Sequence, residues 1–227
     1  ANAEGVGSVA TYPFGRGGFE VSKLEEATAK RYLPAAELSK LKSATANNPQ
    51  CEYARKLFLF SYYCYGISFI DMAMLTAAHI KQMEDGDYIV YKRQKIKRQK
   101  GVKPISIKIT PAIRQLIESL QAASPTVDDF LLPVVTRSGY TGERLYMHIR
   151  TRYSKYQKYL RLLAEELGID FHLTSYVSRH TAAMTLQRNN IPREVISQML
   201  GHADLETTNV YLDSFDNKVI NEAAKVL

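Results

Sequence analysis

The spacing of apolar residues, and the prolines, glycines and small polar residues between apolar runs, predict a mostly helical chain. Prolines and capping residues mark the expected helix starts, and glycines mark several of the ends. The helices are predicted over residues 34–44, 50–66, 69–75, 111–122, 145–167, 174–188, 192–201, 205–212 and 217–227, the third being little more than one turn.

One β-hairpin interrupts the predicted helices. Residues 88–91 and 105–109 are rich in β-branched and aromatic side chains, and Gly101 lies between them. The predicted fold class is therefore mainly α with a small antiparallel sheet. The longest uncharged stretch, residues 57–70, is too short to cross a bilayer, so it predicts a buried helix rather than a membrane anchor.

The first residues differ in character from the rest of the chain. Residues 1 to about 25 are rich in glycine and show no sustained period, which is typical of a linker. We expect the compact fold to begin near Leu24. The predicted organisation is a linker, or the tail of a missing domain, over residues 1–23 and a compact domain over residues 24–227. No signal peptide is predicted, because no basic and apolar leader opens the chain.

Composition is typical of a globular protein with a polyanionic partner. The 227 residues include 45% apolar side chains, enough for a core, and carry a formal net charge of +7. Two cysteines without a nearby metal-binding pattern predict neither a disulfide framework nor a zinc site. We therefore expect a reducing cytoplasmic location and no metal or other cofactor.

Much of the positive charge is concentrated in two stretches without acidic residues. One occupies the predicted hairpin tip, and the other lies on the helix predicted over residues 145–167, where tyrosines alternate with cations. Either cluster alone is as typical of a solvated surface as of a phosphate-binding surface. Two such clusters in one domain favour contacts with nucleic-acid phosphates. The residues expected to bind DNA are Lys92, Arg93, Lys97, Arg98, Lys100, Arg150, Arg152 and Lys155.

Arg179 is the first candidate for chemistry. It lies on a predicted helix that is apolar on more than one face, because Val177 and Met184 share one side while Arg179 points about 200° away from Val177, beside Ala182 and Ala183. A desolvated guanidinium needs an anion. The pattern leaves two anions open, a carboxylate of the protein and a phosphate of a ligand.

His202 and Tyr211 complete a group of residues able to cleave a phosphodiester. Gly201 is expected to adopt a left-handed cap, which places His202 in a tight turn, and Tyr211 follows nine residues after His202. Each residue alone is more typical of an ordinary surface position. Together with Arg179 they supply a nucleophile, charge neutralisation and proton transfer, the functions that metal-free cleavage requires.

Two motifs in this region resemble those of the tyrosine recombinases, the phage integrase family. The Arg-His-Thr sequence at 179–181 is similar to the family's Arg-His-Thr/Ser box. The segment 200–211, Leu-Gly-His-Ala-Asp-Leu-Glu-Thr-Thr-Asn-Val-Tyr, is similar to its Leu-Gly-His…Thr-Thr…Tyr box, including the spacing. The resemblance covers residues 24–227 and implies a mostly helical catalytic domain with a three-stranded sheet, in which the basic hairpin contains the turn between the second and third strands. It also implies that residues 1–23 are a linker or the tail of a missing N-terminal core-binding domain.

The resemblance also implies a role for each matching residue. By resemblance, Tyr211 is the nucleophile, Arg179 and His202 bind the scissile phosphate, and Lys95 is the acid that protonates the leaving oxygen. Other lysines lie nearby in the hairpin, so the alignment leaves open which of them is the acid. Tyr176 stands where the family has a histidine, three residues before the box arginine; it can donate a hydrogen bond but cannot shuttle protons near neutral pH.

The family's first arginine is absent from this chain. It would fall within residues 64–71, which contain no arginine, and Tyr65 or Ser68 takes its place. Loss of one preorganised donor typically costs about 2.7–4 kcal/mol in the transition state. This predicts slower chemistry rather than none. Arg55, on the preceding predicted helix, is a candidate replacement.

By resemblance, the expected activity is DNA integration and excision through a 3′-phosphotyrosyl intermediate, by an integrase of a mobile element or prophage. The expected partners are double-stranded DNA of the bacterial nucleoid, further protomers in a tetramer on paired sites, and DNA-bending accessory proteins, but no membrane. Two other functions fit the same residues. One is a catalytically silent DNA-binding module, since residues 192–212 also resemble a helix-turn-helix, and the other is nicking and resealing of the type IB topoisomerase kind.

Neutral substitution of both Lys97 and Arg98 should flatten the salt dependence of DNA binding. Each phosphate contact that is lost reduces the slope of log Kobs against log salt concentration by roughly 0.9 for duplex DNA. Titration of a fluorescent duplex at several salt concentrations measures the slope. An unchanged slope would show that the hairpin tip is an ordinary solvated surface.

Overall fold

Seven α-helices, a short 3-10 helix over Ala77–His79 and one three-stranded sheet form the part of the chain that the structure describes. This part comprises residues 32–96, 103–202 and 208 of a computed structural model. The helices are α1 Ala35–Ser43, α2 Pro49–Tyr63, α3 Phe69–Ala73, α4 Pro111–Ala123, α5 Gly142–Glu166, α6 Ser175–Arg188 and α7 Arg193–Leu200. The strands are β1 Ile80–Met83, β2 Gly86–Tyr91 and β3 Ile105–Lys108.

The predicted fold class is confirmed. Each helix predicted within the described residues is present, with its ends shifted by at most three residues. The predicted linker and the start of the fold near Leu24 lie outside the described residues. The two helices expected after Gly201 also lie outside them, apart from Thr208, which is helical.

Helix α2 lies at the centre of the helical part of the fold. Asn48 caps it by accepting a hydrogen bond from the Gln50 N–H at 2.8 Å, and Pro49 occupies its first turn. It packs against α4, α5 and α6, and Leu57 and Phe58 have no exposed surface. The uncharged stretch over residues 57–70 therefore begins in a buried helix, as predicted. Among the described residues no helix has the length and apolar character to cross a membrane.

The chain turns sharply after α2 in a corner formed by residues 64–68. Tyr65 and Gly66 both have positive φ, 57° and 72°, a conformation that glycine adopts without strain. The Ser61 hydroxyl donates to a carbonyl oxygen of the corner at 2.8 Å and lies 2.7 Å from the Ser178 hydroxyl of α6. These two contacts join the corner to α6.

The sheet is antiparallel in the order β1-β2-β3. Tyr91, the last residue of β2, pairs with Ile105, the first residue of β3, beside the turn that joins the two strands, which confirms the predicted hairpin. Just beyond β2, the backbone N–H of Gln94 donates to the buried Asp71 carboxylate of α3 at 2.7 Å. Helix α3 thus holds the start of the basic turn that joins β2 to β3. Residues 97–102 of this turn lie outside the described residues.

Helices α6 and α7 share a second, smaller core. Ala183 and Met184 of α6 are buried with Ile196 and Leu200 of α7. Helix α7 ends at Gly201, where φ is 65° and ψ is 42°, so the predicted left-handed cap is confirmed. This cap turns the following residue away from the helix axis.

Arg55 forms a structural ion pair, which corrects the expectation that it replaces the family's first arginine. Its guanidinium makes two hydrogen bonds of 2.7 Å to the Glu52 carboxylate and one of 2.9 Å to the Leu41 carbonyl oxygen. Burial acts to raise the pKa of Glu52, but hydrogen bonds from Arg55 and from the Ala46 N–H outweigh it and lower the pKa. Arg55 is therefore engaged in joining α1 to α2.

Replacing Arg55 should destabilise the fold. Arg55→Met is expected to lower the free energy of unfolding by about 2–4 kcal/mol, because it leaves a largely buried carboxylate without its bidentate partner. Since pairing lowers the pKa of Glu52 in the folded state, the loss should be full above about pH 4.3 and shrink at lower pH. Urea denaturation at several pH values measures it. Lys40→Met, which breaks the exposed pair with Glu37, should cost less than about 1 kcal/mol; equal losses would contradict the structural role.

Candidate active site

The Arg179 guanidinium lies at the meeting point of α6, the corner after α2 and the end of α7. The residue is 4% exposed. One terminal nitrogen donates to the Gly66 carbonyl oxygen at 3.0 Å, and the other donates to the Leu200 carbonyl oxygen and, at 2.8 Å, to Nε2 of His202. These partners orient the guanidinium through its hydrogen-bond donors.

His202 is held in one tautomer by its neighbours. A guanidinium only donates hydrogen bonds, so Nε2 of His202 carries a lone pair and the ring proton lies on Nδ1. Nδ1 then donates to the hydroxyl of Thr208 at 2.8 Å, and Thr208 is fully buried. The backbone N–H of His202 donates to the Ser197 carbonyl oxygen at 3.0 Å. Both the position and the orientation of the imidazole are therefore determined by the end of α7 and by Thr208.

Gly66 is a glycine because its backbone lies directly against Arg179. A Cβ at this position would lie 2.5 Å from the Cα, Cβ and Cγ atoms of Arg179, closer than real side chains approach. The residue also needs its φ of 72° to direct its carbonyl oxygen at the guanidinium. The corner after α2 thus forms one wall of the site.

The structure describes three of the predicted cations of the hairpin. Lys92 and Lys95 are exposed, and Lys95 lies in the turn over residues 94–96. Arg93 is half-buried, and its guanidinium donates to the Gly201 carbonyl oxygen at 3.3 Å. The start of the hairpin therefore reaches the same turn as Arg179 and His202.

Neither residue at the place of the missing first arginine resembles a phosphate ligand. The Ser68 hydroxyl caps α3 and donates to the Asp71 carboxylate at 2.6 Å. Tyr65 is half-buried, and burial raises the pKa of its phenol. Tyr176, at the place of the family's histidine, is 56% exposed and stacks at an angle on His180, with 5.5 Å between ring centroids.

The predicted cations of α5 do not share one surface. Arg150 and Lys155 are exposed, whereas Arg152 is half-buried, donates to the Val134 carbonyl oxygen at 3.1 Å and lies over the Tyr53 ring. Arg150 and Arg152 point about 200° apart around the helix. Arg152 is thus partly engaged in packing, a role that the charge pattern alone did not reveal.

The remaining predicted residues, Tyr211, Lys97, Arg98 and Lys100, lie outside the described residues. Within the described ranges, no group of three or more histidine, cysteine, aspartate or glutamate side chains is arranged to hold a metal ion. Cys51 and Cys64 are both buried and free.

Sequence reasoning missed two residues that shape the site, Gly66 and Thr208. Each had a signal in the sequence. Thr208 belongs to the Thr-Thr pair of the family-like box, between His202 and Tyr211. Gly66 lies within residues 64–71, the segment where the first arginine is absent, and a glycine in a functional segment often marks a close approach of the backbone.

Comparison with known proteins assigns the chain to a protein family. A sequence profile of the phage integrase family matches residues 31–218. The chain belongs to the phage integrase family. The resemblance seen in the two boxes is therefore confirmed over most of the chain.

Curated relatives of this family member include recombinases and a transposase. Tyrosine recombinase XerD of Halalkalibacterium halodurans is 41% identical over 54 residues, 24% of this chain and 18% of that protein. A tyrosine recombinase of Pseudothermotoga lettingae is 25% identical over 134 residues, 59% of this chain and 42% of that protein. Transposase B from transposon Tn554 of Staphylococcus aureus is 24% identical over 196 residues, 86% of this chain and 30% of that protein. The matched part is less than half the length of each of these relatives.

Solved structures share the fold at low identity. XerH recombinase bound to its difH substrate in a pre-cleavage complex has a TM-score of 0.60 and 19% identity, and the match covers 86% of this chain and 53% of that chain. The Tn1549 transposon integrase in complex with transposon right end DNA has a TM-score of 0.65 and 12% identity, covering 92% and 70%. These likenesses show the integrase fold, with its small three-stranded sheet.

Adding a methyl group at Gly66 should disturb the site more than the same change at Gly139. Both glycines have φ of 72°, but a Cβ at Gly139 would meet nothing within 4 Å. Gly139→Ala should therefore cost only the backbone strain, about 1–2 kcal/mol. Gly66→Ala should cost about 1–3 kcal/mol more, because the added methyl displaces Arg179. Urea denaturation of both variants gives the difference, and equal losses would contradict the close approach to Arg179.

Proposed function

We propose that this chain is the catalytic part of a site-specific DNA recombinase, an integrase of a bacterial mobile element or prophage. The observation that carries the proposal is the contact between Arg179 and His202, two residues 23 positions apart whose side chains meet at 2.8 Å. Side chains this close can face the same phosphate, with the guanidinium as donor to a non-bridging oxygen and the imidazole as acceptor of the nucleophile's proton. The family match supports the same class of reaction.

In the proposed reaction, the phenolic oxygen of Tyr211 attacks the scissile phosphorus. A bond from phosphorus to the tyrosine oxygen forms while the bond to the 5′ oxygen breaks, so the 3′ end becomes a phosphotyrosine ester. The leaving oxygen takes a proton from Lys95, and Nε2 of His202 accepts the phenolic proton. The 5′ hydroxyl of a second strand then reverses the step, which rejoins the DNA without ATP.

Arg179 stabilises the transition state through its charge. Negative charge increases on the non-bridging oxygens as the attack proceeds, and a preorganised donor to such an oxygen contributes about 2.7–4 kcal/mol. Backbone carbonyl oxygens already hold the guanidinium in place, so little reorganisation is needed when the phosphate binds. Tyr176 adds a hydrogen bond to the phosphate in this scheme, and no step requires a metal ion.

DNA and further copies of the chain are the proposed partners. XerH with difH, the Tn1549 integrase with transposon DNA and a lambda integrase dimer on a COC′ core site are structures of similar proteins bound to DNA. We extend duplex binding to this chain, with exposed Lys92, Arg150 and Lys155 as contacts to the DNA backbone. Protomers would assemble as a tetramer on paired sites in the nucleoid, together with DNA-bending accessory proteins.

A nicked duplex library with a randomised core tests the proposed function. Cleavage beside a nick releases a short fragment that diffuses away, so the phosphotyrosine ester cannot be reversed and accumulates. The wild-type chain should form covalent DNA that survives denaturation, and Tyr211→Phe should form none. Absence of trapped DNA with the wild type would favour a silent DNA-binding module. Relaxation of supercoiled DNA without recombinant junctions would favour the topoisomerase-like activity.

Loss of Arg179 should abolish chemistry but not DNA binding. Arg179→Ala is expected to slow covalent trapping by about 100-fold or more, whereas its nonspecific DNA affinity should change by less than about twofold, since it makes one phosphate contact among many. Gel quantification of trapped DNA and a fluorescence titration measure the two effects. Arg188→Ala, at the exposed end of the same helix, is the matched control and should trap DNA normally. Equal loss of trapping and affinity in Arg179→Ala would contradict the assigned role.

A further inference from the structure

A second guanidinium contacts the turn that carries His202. The Arg93 guanidinium donates to the Gly201 carbonyl oxygen at 3.3 Å, and Arg179 donates to the carbonyl oxygen of the preceding residue, Leu200. The two guanidinium groups therefore bind successive carbonyl oxygens of one turn, and His202 is the next residue. Burial raises the pKa of Tyr91, the negative charge of Asp71 adds to that rise, and the positive charges of Arg179 and Arg93 act against it.

The position of Arg93 is determined by a buried carboxylate. Asp71 is 3% exposed, and its Oδ1 accepts the backbone N–H of Gln94, the residue directly after Arg93, at 2.7 Å. The other carboxylate oxygen accepts the Ser68 hydroxyl at 2.6 Å. The segment that lacks the family's first arginine thus holds the backbone from which Arg93 extends.

The contact between Arg93 and Gly201 is easily exchanged for a stronger one. At 3.3 Å it is longer than a typical N–H to oxygen hydrogen bond, and its acceptor is neutral. A phosphate oxygen offers a shorter, charge-assisted bond to the same guanidinium. The half-buried position keeps the side chain close to the turn while part of it stays accessible.

We propose that Arg93 is a further catalytic residue, which binds the scissile phosphate beside Arg179 and supplies the positive charge that the family places on its first arginine. This inference rests on the proposed function of the site. It assigns Arg93 to the reacting phosphate rather than to the DNA backbone, the role expected from the charge cluster. It also explains how the chain does without an arginine in residues 64–71.

Two nicked duplexes that differ only at the scissile position test this assignment. Both carry a core sequence recovered from the trapping library; one has the ordinary phosphate, and the other has a methylphosphonate, in which a methyl group replaces a charged oxygen. The rate of covalent product formation is measured for the full chain, Arg93→Ala, Arg93→Lys and Arg114→Ala. Arg114 is the matched control because it is an exposed arginine paired with Asp87.

Arg93→Ala should react about 100-fold more slowly than the wild type on the phosphate, but within about fivefold of the wild type on the neutral methylphosphonate. On the phosphate, Arg93→Lys should react at a rate between those of the wild type and Arg93→Ala, because it keeps the charge but loses the planar donor geometry. Arg114→Ala should match the wild type on both duplexes. Comparing each variant with itself on the two duplexes removes any difference in the folded fraction.

Two results would overturn the assignment, and each differs from failure of the proposed function. A wild-type rate for Arg93→Ala on the phosphate would show that the residue does not act in the reaction. An equal loss on both duplexes would show that Arg93 only supports the turn at Gly201. If the wild type forms no adduct that depends on Tyr211 on either duplex, the proposed function itself fails, and this inference fails with it.

Discussion

Burial of one positive charge at the junction of α2, α6 and α7 is the constraint on which the rest of the site depends. The Arg179 guanidinium is oriented by carbonyl oxygens at two chain reversals, and each reversal needs a glycine with positive φ, Gly66 in one and Gly201 in the other. A side chain at Gly66 would displace Arg179, and one at Gly201 would overlap Ile105 of β3. The same two reversals therefore hold the guanidinium, position His202 and pack the helices against the sheet.

A second constraint connects the sheet to this junction. Asp71 is buried on α3, where it accepts hydrogen bonds from Ser68 and from the backbone of Gln94. The cost of burying its carboxylate is offset by these hydrogen bonds, and their geometry determines where the basic hairpin leaves the sheet. Ser68, one of the two residues expected at the place of the family's first arginine, thus has a structural function, and in the scheme proposed above the hairpin supplies the charge for catalysis.

The likeness to known recombinases lies mainly in the framework. The family profile spans residues 31–218, yet the Tn1549 integrase shares the fold at 12% identity. Identity this low leaves room for the positions around a reacting phosphate to be redistributed, provided that the cations still converge. A guanidinium is long and makes several hydrogen bonds, so arginines rooted on different elements can reach the same anion. The backbone reversals that hold Arg179 are less easily moved than a surface cation.

Local patterns in the sequence determine the order of the helices, the hairpin and the left-handed cap at Gly201. They also indicate the roles expected of Arg179 and His202, because caps, periods and family-like boxes are properties of neighbouring residues. The sequence alone also shows that residues 64–71 contain no arginine. Only the tertiary structure decided that Arg55 binds Glu52, that Arg152 packs on Tyr53 and that Arg93 reaches the turn beside His202. A charged side chain selects its partner by distance and burial, and both depend on elements that lie far apart along the chain.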